Sequence, residues 1–293
     1  MKEQLLLIYN PSSGRQTMTE KLGYVVESLG ERWDVTVKPT LYEGHAEQVA
    51  AEAATQFDMV VAAGGDGTIH EVVNGLMNSR QRPVLGILPA GTANDIARSL
   101  SIPSDLMEAC DFLKVSHPVQ IELGKCASRY FVNFLGFGLI SLVSNSVKQA
   151  TKSRLGPLTY FLKSLQSLHN QSEFLVQIQT EEKLIETTCV MGYVASGRSL
   201  AGFELFPETG FGDDSFEVIL IHDVTIANLL DAAASILRKA PIENRAVTRF
   251  RATSLNIRCT PLQFIDMDGE KGMQTPVDIR FIPESLSVVG NLT

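Results

Sequence analysis

The sequence predicts an α/β domain built on a parallel sheet, followed by a second, mainly antiparallel β-sandwich domain. Three observations carry this expectation. Short apolar runs alternate with helix-periodic stripes through the first hundred residues, as in a parallel sheet covered on both faces. Glycine-rich turns follow several of those runs. After about residue 120 the apolar period changes to two, the mark of antiparallel strands with one solvated face.

The elements follow in order. Leu5-Leu6-Leu7-Ile8 is a short continuous apolar run and reads as a buried strand; the loop 10–15 follows it. Met18, Leu22, Val25, Val26 and Leu29 fall at helical spacing. Val35 and Val37 suggest a second strand, and Ala46, Val49, Ala50 and Ala53 a second helix. Met59-Val60-Val61-Ala62-Ala63 is a third strand and runs into Gly64-Gly65-Asp66-Gly67-Thr68. Ile69, Val72, Val73, Leu76 and Met77 form the cleanest amphipathic stripe in the chain. Val84-Leu85-Gly86-Ile87-Leu88 is a fourth strand, ending in Pro89-Ala90-Gly91-Thr92-Ala93-Asn94-Asp95. Period-two alternation then recurs at 174–178, 255–259 and 277–281, interrupted by helical stripes at 158–168 and 226–237. The expected division is 1–122, completed by the C-terminal segment 284–293, and 123–283.

Composition narrows the function. The 293 residues are 44% hydrophobic and 20% charged, which suits a globular chain of two domains. With 25 basic against 33 acidic residues, the net charge of −8 argues against a general nucleic-acid-binding surface. Cys110, Cys126, Cys189 and Cys259 are scattered, without a CxxC pair, and suit reduced, buried thiols in a cytoplasmic protein. The N-terminal apolar run is too short for a signal peptide, and no stretch approaches the roughly 20 apolar residues of a membrane span. Any membrane contact is therefore expected to be peripheral.

The loops carry the chemistry. In parallel sheets ligands sit beyond the carboxyl ends of the strands, where these loops fall. At residues 64–68, three glycines let the backbone approach a ligand closely, and the helix behind aims free N–H groups and a positive dipole end at it. No Walker lysine follows, and the spacing misses the dinucleotide fingerprint. Asp66 would repel phosphate unless it orients a metal–phosphate group or a polar partner. Thr92 offers a hydroxyl, Asn94 or Asp95 could cap the next helix, and Arg98 lies about one turn into it. Asn10, Ser13, Gly14 and Arg15 add a third glycine-containing loop, again with a basic residue at a strand end. Asp266-Met267-Asp268-Gly269-Glu270 is either an acidic hairpin turn, which Asp-Gly favours, or a carboxylate site. Of the histidines, His45 at a helix start is expected near a bound ligand.

Taken together, Asn10-Pro11-Ser12-Ser13-Gly14, the GGDGT at 64–68 with Glu71-Val72-Val73-Asn74-Gly75, the run 89–95 and Asp268-Gly269-Glu270 resemble the diacylglycerol kinase catalytic-domain family, in its soluble bacterial lipid kinase branch. The resemblance also takes in 129–133 and 155–157. GGDGT is shared with NAD kinases, whereas 89–95 with Arg98 points to the lipid branch.

The resemblance implies an N-terminal nucleotide-binding domain of NAD kinase/diacylglycerol kinase type and a β-rich lipid-substrate domain, with ATP and Mg2+ as cofactors bound between them. Nucleotide contacts would come from Asn10, Pro11, Ser12, Ser13, Gly14, Thr40, Gly64, Gly65, Asp66, Gly67, Thr68 and Thr92. Asp66 would join the phosphate–magnesium network, and Asp268 and Glu270 would be the catalytic pair, either of them the base. Arg15, Asn94, Asp95 and Arg98 would meet phosphate or lipid headgroup. Some members hold a structural magnesium at a Pro-then-Asp-Asp-Gly stretch. Counting from Pro207, its ligands here would be Asp213 and the carbonyls of Gly210 and Ser215, although the order has become Gly-Asp-Asp.

The implied reaction is γ-phosphoryl transfer to a lipid hydroxyl, foremost diacylglycerol to phosphatidic acid. The alternatives are a kinase for a sphingoid or phosphatidylglycerol-type lipid, an NAD kinase-like enzyme and, less favoured, a non-catalytic nucleotide- or lipid-binding regulator. The expected partner is a lipid at the inner face of the membrane, visited transiently from the cytoplasm. Lys148, Lys152, Arg154 and Lys163 beside the apolar 155–165 segment are candidate membrane contacts or a solvated helix face. A homodimer is left open.

Overall fold

In the computed structural model, residues 2–13, 17–139, 173–200, 203–204, 208–223 and 246–292 are described, with 225, 228, 231, 234, 235 and 238 between the last two stretches. Gly14, Arg15, Pro207, the helix expected at 158–168 and the basic residues 148–163 lie outside the described residues. Of the helix expected at 226–237, the described residues Asn228, Asp231, Ala234 and Ser235 are helical.

The chain divides into two units, Met1–Leu123 with Ile282–Thr293, and Gly124–Phe281. The first contains β1 (Gln4–Tyr9), α1 (Thr17–Gly30), β2 (Asp34–Pro39), α2 (His45–Ala53), β3 (Met59–Gly64), α3 (Asp66–Met77), β4 (Val84–Pro89), α4 (Asp95–Ser99), α5 (Leu106–Val115) and most of β5 (Pro118–Cys126). The second contains β6 (Arg129–Phe131), β7 (Phe134–Gly138), β8 (Phe174–Gln179), β9 (Leu184–Cys189), β10 (Met191–Ala195), β11 (Ser199–Leu200), β12 (Phe203–Glu204), β13 (Phe216–Ile221), β14 (Val247–Ala252), β15 (Ser254–Thr260), β16 (Phe264–Met267), β17 (Glu270–Gln274) and the first part of β18 (Val277–Val289).

In the first unit the strands run β2-β1-β3-β4, all parallel, and the end of β18 adds to β4 through Val288 opposite Leu85. Leu5 to Ile8 and Met59 to Ala63 are buried throughout, which is why they are continuous apolar runs and not alternating ones. Parallel register brings the carboxyl ends together. Tyr9 stands opposite both Pro39 and Ala63, and Gly64 opposite Pro89. Every loop that follows β1, β2, β3 and β4 therefore leaves from one edge.

In the second unit two antiparallel arrays, β14-β13-β10-β7-β16-β17 and β18-β15-β8-β9, enclose one core. Phe131, Phe137, Phe174 and Phe216 pack there with Val176, Ile257 and Ile279. β8 alternates buried with less buried residues along its whole length, as its period-two sequence predicts. No helix among the described residues is long and apolar enough to cross a membrane.

All four cysteines are free and buried. Burial pushes the Cys189 thiol up to about 12 and those of Cys110, Cys126 and Cys259 up to about 11. Because the thiolate is the reactive form, the native protein at pH 8 should consume almost no thiol reagent, and the protein in denaturant should consume four equivalents rapidly. Fast labelling of any of the four in the native state would contradict this packing.

Candidate active site

The strand-tip loops of the first unit interlock. Asn10 leaves β1 with its N–H donating to the Ala63 carbonyl at 3.0 Å. Its side-chain oxygen accepts from Ser12 N–H at 2.9 Å, and its amide nitrogen donates to Thr68 Oγ1 at 3.3 Å. Ser13 N–H closes the turn onto the Asn10 carbonyl at 3.2 Å, with Pro11 inside it. One asparagine thus ties the 10–13 loop to the first turn of α3.

The glycines at 64–65 and 91 are explained by contact. A Cβ on Gly64 would lie 2.5 Å from Thr68 Oγ1, and one on Gly91 would lie 2.4 Å from the Gly65 Cα. The two loops pass backbone against backbone, which no other residue permits. Ala90 N–H adds a 2.8 Å bond to the Gly64 carbonyl. α3 then starts at Asp66 behind an extended Gly65, so the N–H groups of its first turn, Gly67 and Thr68 included, belong to the loop edge.

The second loop is held differently from the expectation that Asn94 or Asp95 caps α4. Asn94 adopts a left-handed conformation, φ 51°, and folds its side chain back on Gly91. It accepts Gly91 N–H at 2.9 Å and donates to the Gly91 carbonyl at 3.2 Å. The cap comes from elsewhere: Asp66 Oδ1 accepts the N–H of Ile96 at 3.0 Å. Asp66 therefore joins the GGDGT turn to the start of α4 while remaining an acid in the first turn of α3. Asp95 is buried, whereas Thr92 and Arg98 are exposed.

Thr40 sits at the tip of β2 and donates its N–H to the Tyr9 carbonyl at 2.8 Å. The loop after it is fixed by two residues. His45 Nδ1 accepts Leu41 N–H at 3.2 Å, its ring 4.8 Å from that of Tyr42. Glu71, one turn into α3, accepts Gly44 N–H at 2.9 Å and Ala46 N–H at 3.0 Å. That capping of α2 from α3 is invisible in the sequence, since it crosses more than twenty residues.

In the second unit, Asp268 and Gly269 form a two-residue hairpin turn between β16 and β17, both with positive φ (53° and 91°). This is the Asp-Gly turn the sequence signals. The Asp268 carboxylate does not face solvent. It is buried and accepts three backbone N–H groups, from Val132 at 2.8 Å, Asn133 at 2.8 Å and Phe134 at 3.0 Å. Asp266 is buried as well, its Oδ1 accepting Gly269 N–H at 2.8 Å. Glu270 opens β17 opposite Met267 and is partly buried.

The expected structural magnesium ligands lie in the segment just before β13. Asp213 Oδ2 is 3.2 Å from the Arg251 guanidinium, and the Gly210 carbonyl accepts Asp213 N–H at 3.3 Å. An anionic oxygen and a carbonyl of the expected set are thus turned to partners within the chain. Among the described residues no group of three histidine, cysteine or acidic side chains could hold a metal.

Comparison with known proteins follows the same two-part division. The model of the diacylglycerol kinase catalytic domain matches residues 4–126, and that of the YegS C-terminal NAD kinase beta sandwich-like domain matches 134–290. A diacylglycerol kinase of Bacillus subtilis is 32% identical over 92% of this chain and 90% of its own. One of Staphylococcus haemolyticus is 31% identical over 98% and 88%. A solved structure from Bacillus anthracis, 28% identical, superposes with a TM-score of 0.85 over 99% of this chain and 95% of that one.

Proposed function

The chain belongs to the diacylglycerol kinase catalytic-domain family, whose members are ATP-dependent lipid kinases, and from that premise we propose that it transfers the γ-phosphoryl group of ATP to diacylglycerol, giving phosphatidic acid. One observation carries the nucleotide half of this reading: the loops after β1, β3 and β4 are locked to one another through Asn10, Thr68, Asp66 and the Gly65–Gly91 contact. Such a platform presents backbone N–H groups and a helix start at one place, which suits polyphosphate.

Phosphoryl transfer is mostly positioning and charge neutralisation. In this reading Asn10 to Gly14, Thr40, Gly64 to Thr68 and Thr92 contact the nucleotide. Exposed Arg98, with Arg15, offsets phosphate charge, while Asn94 and Asp95 hold the loop between them in shape. An acid beside a glycine cradle fits Mg2+, which is commonly held by one or two carboxylates together with substrate phosphates. Asp66 would hold the ion, and when bound it would neutralise charge on the transferring phosphoryl group.

The acceptor hydroxyl must lose a proton as its oxygen bonds to phosphorus. Of the acids at the β16–β17 turn, Asp268 and Glu270 are the expected pair, and their surroundings divide the work. Asp268 spends its carboxylate on three backbone N–H groups and positions the turn. Glu270, on the strand beside it, takes the proton.

An acceptor panel tests the substrate. With ATP and magnesium, mixed micelles of diacylglycerol should give phosphatidic acid by mass spectrometry, and sphingoid base, phosphatidylglycerol and NAD should be phosphorylated poorly. Preference for any of the latter three would replace the proposed acceptor.

Gly91→Ala tests the cradle. The new methyl cannot fit 2.4 Å from the Gly65 Cα, so the two loops must part. We expect the KM for ATP to rise at least tenfold, with overpacking of about 1–3 kcal/mol in stability. Unchanged ATP affinity would separate the 91 loop from the nucleotide.

A further inference from the structure

Family members can carry a structural magnesium in the β domain, and the residues at that place here do not fit one. We propose that the Arg251 guanidinium takes the cation's place, so that this domain is held at that point by an internal ion pair and needs no divalent metal.

The argument starts from strand register. β13 and β14 are antiparallel, with Glu217 opposite Arg251 and Ile219 opposite Arg249. Arg249 and Arg251 are two apart on one strand, so both side chains leave from the same face as Glu217. Glu217 is buried and pairs with both: its Oε1 lies 2.9 Å from Arg249 Nε and its Oε2 3.4 Å from Arg251 Nε. That second pair directs the Arg251 side chain toward the chain segment preceding β13.

There the guanidinium finds the oxygens a hard cation would seek. Its terminal nitrogen is 3.2 Å from Asp213 Oδ2 and 3.4 Å from the Glu208 carbonyl oxygen. Arg249 reaches the Glu208 carboxylate at 3.5 Å. The carboxylates of Asp213 and Glu217 and the Glu208 carbonyl thus surround the permanent positive charge of Arg251. Arginine cannot lose its proton at accessible pH, so the charge is fixed as a metal's would be. Meanwhile Gly210, a ligand in the expected set, has its carbonyl engaged by Asp213 N–H, and the glycine that should follow the two aspartates stands before them.

A hydrated Mg2+ and this guanidinium would compete for one carboxylate. Asp213 offers the only acid of the expected ligand set, and Mg2+ dehydrates reluctantly to bind a single carboxylate with carbonyls. An arginine already anchored by buried Glu217 meets the same carboxylate at no cost in recruiting an ion from solution.

The test uses the full chain without nucleotide, so it is independent of kinase activity and of the acceptor. Thermal unfolding is followed after exhaustive treatment with chelator, then with millimolar magnesium. We expect the two midpoints to coincide. Arg251→Met should lower the midpoint by about 2–4 °C. Asp213→Asn should do so too, and the double variant should lose less than the sum, because the partners share one interaction. Far-UV circular dichroism confirms that each variant folds. A magnesium-induced rise in the native midpoint that Asp213→Asn abolishes would overturn the proposal, as would strict additivity of the two substitutions.

Discussion

Glu270→Gln should lower the turnover number by about 10²–10⁴, the range a positioned general base contributes. The substitution keeps size and shape while removing the charge and the ability to take a proton. Glu270 opens β17 just beyond the hairpin turn, and the backbone N–H groups of residues 132–134 are held by Asp268. The KM for ATP should stay within a few-fold, since the loops assigned to the nucleotide are in the first unit. The thermal midpoint should not move. Steady-state kinetics with a soluble short-chain diacylglycerol would show the split directly. Turnover retained in Glu270→Gln would remove the glutamate from the chemistry.

Asp268→Ala should fail in a different way, by unfolding. The aspartate carboxylate satisfies three buried N–H groups across more than 130 residues of sequence. Charge-assisted hydrogen bonds are stronger than neutral ones, and each donor stranded in the interior costs about 1–3 kcal/mol. A loss of about 3 kcal/mol or more is therefore expected, read as a lower midpoint in urea. Asp268→Asn keeps one carbonyl acceptor and should lose less. Those variants separate positioning from proton transfer. If Asp268→Asn folds with native stability and still loses as much turnover as Glu270→Gln, the aspartate touches the reacting atoms.

Much of this was legible in the chain. β1 and β3 announced themselves as continuous apolar runs because both their faces are covered, and β8 and β15 as alternating ones because one face is wet. Parallel register then did the rest: once β1, β3 and β4 lie side by side, their following loops must meet. What stayed hidden were contacts fixed by tertiary register. Asn94 has the chemistry of a helix cap, but Asp66 supplies that bond from thirty residues away, which frees Asn94 to fold onto Gly91. The acidic turn at 266–270 looked either structural or chemical. Asp268 has a structural task, accepting the backbone N–H groups of residues 132–134, and nothing local in Asp-Met-Asp-Gly-Glu names those partners. The Arg249–Phe250–Arg251 alternation opposite Glu217 carried a usable signal, since charges two apart on a strand share a face and call for a partner across it.

The central claim is that the strand-tip loops of the first unit together hold the triphosphate. Amide hydrogen exchange with and without a non-hydrolysable ATP analogue and magnesium tests it most directly. Protection gained together at 10–13, 64–68 and 91–95, and weakened in Gly91→Ala, is the predicted result. Nucleotide bound at full occupancy with those three segments exchanging as before would contradict it.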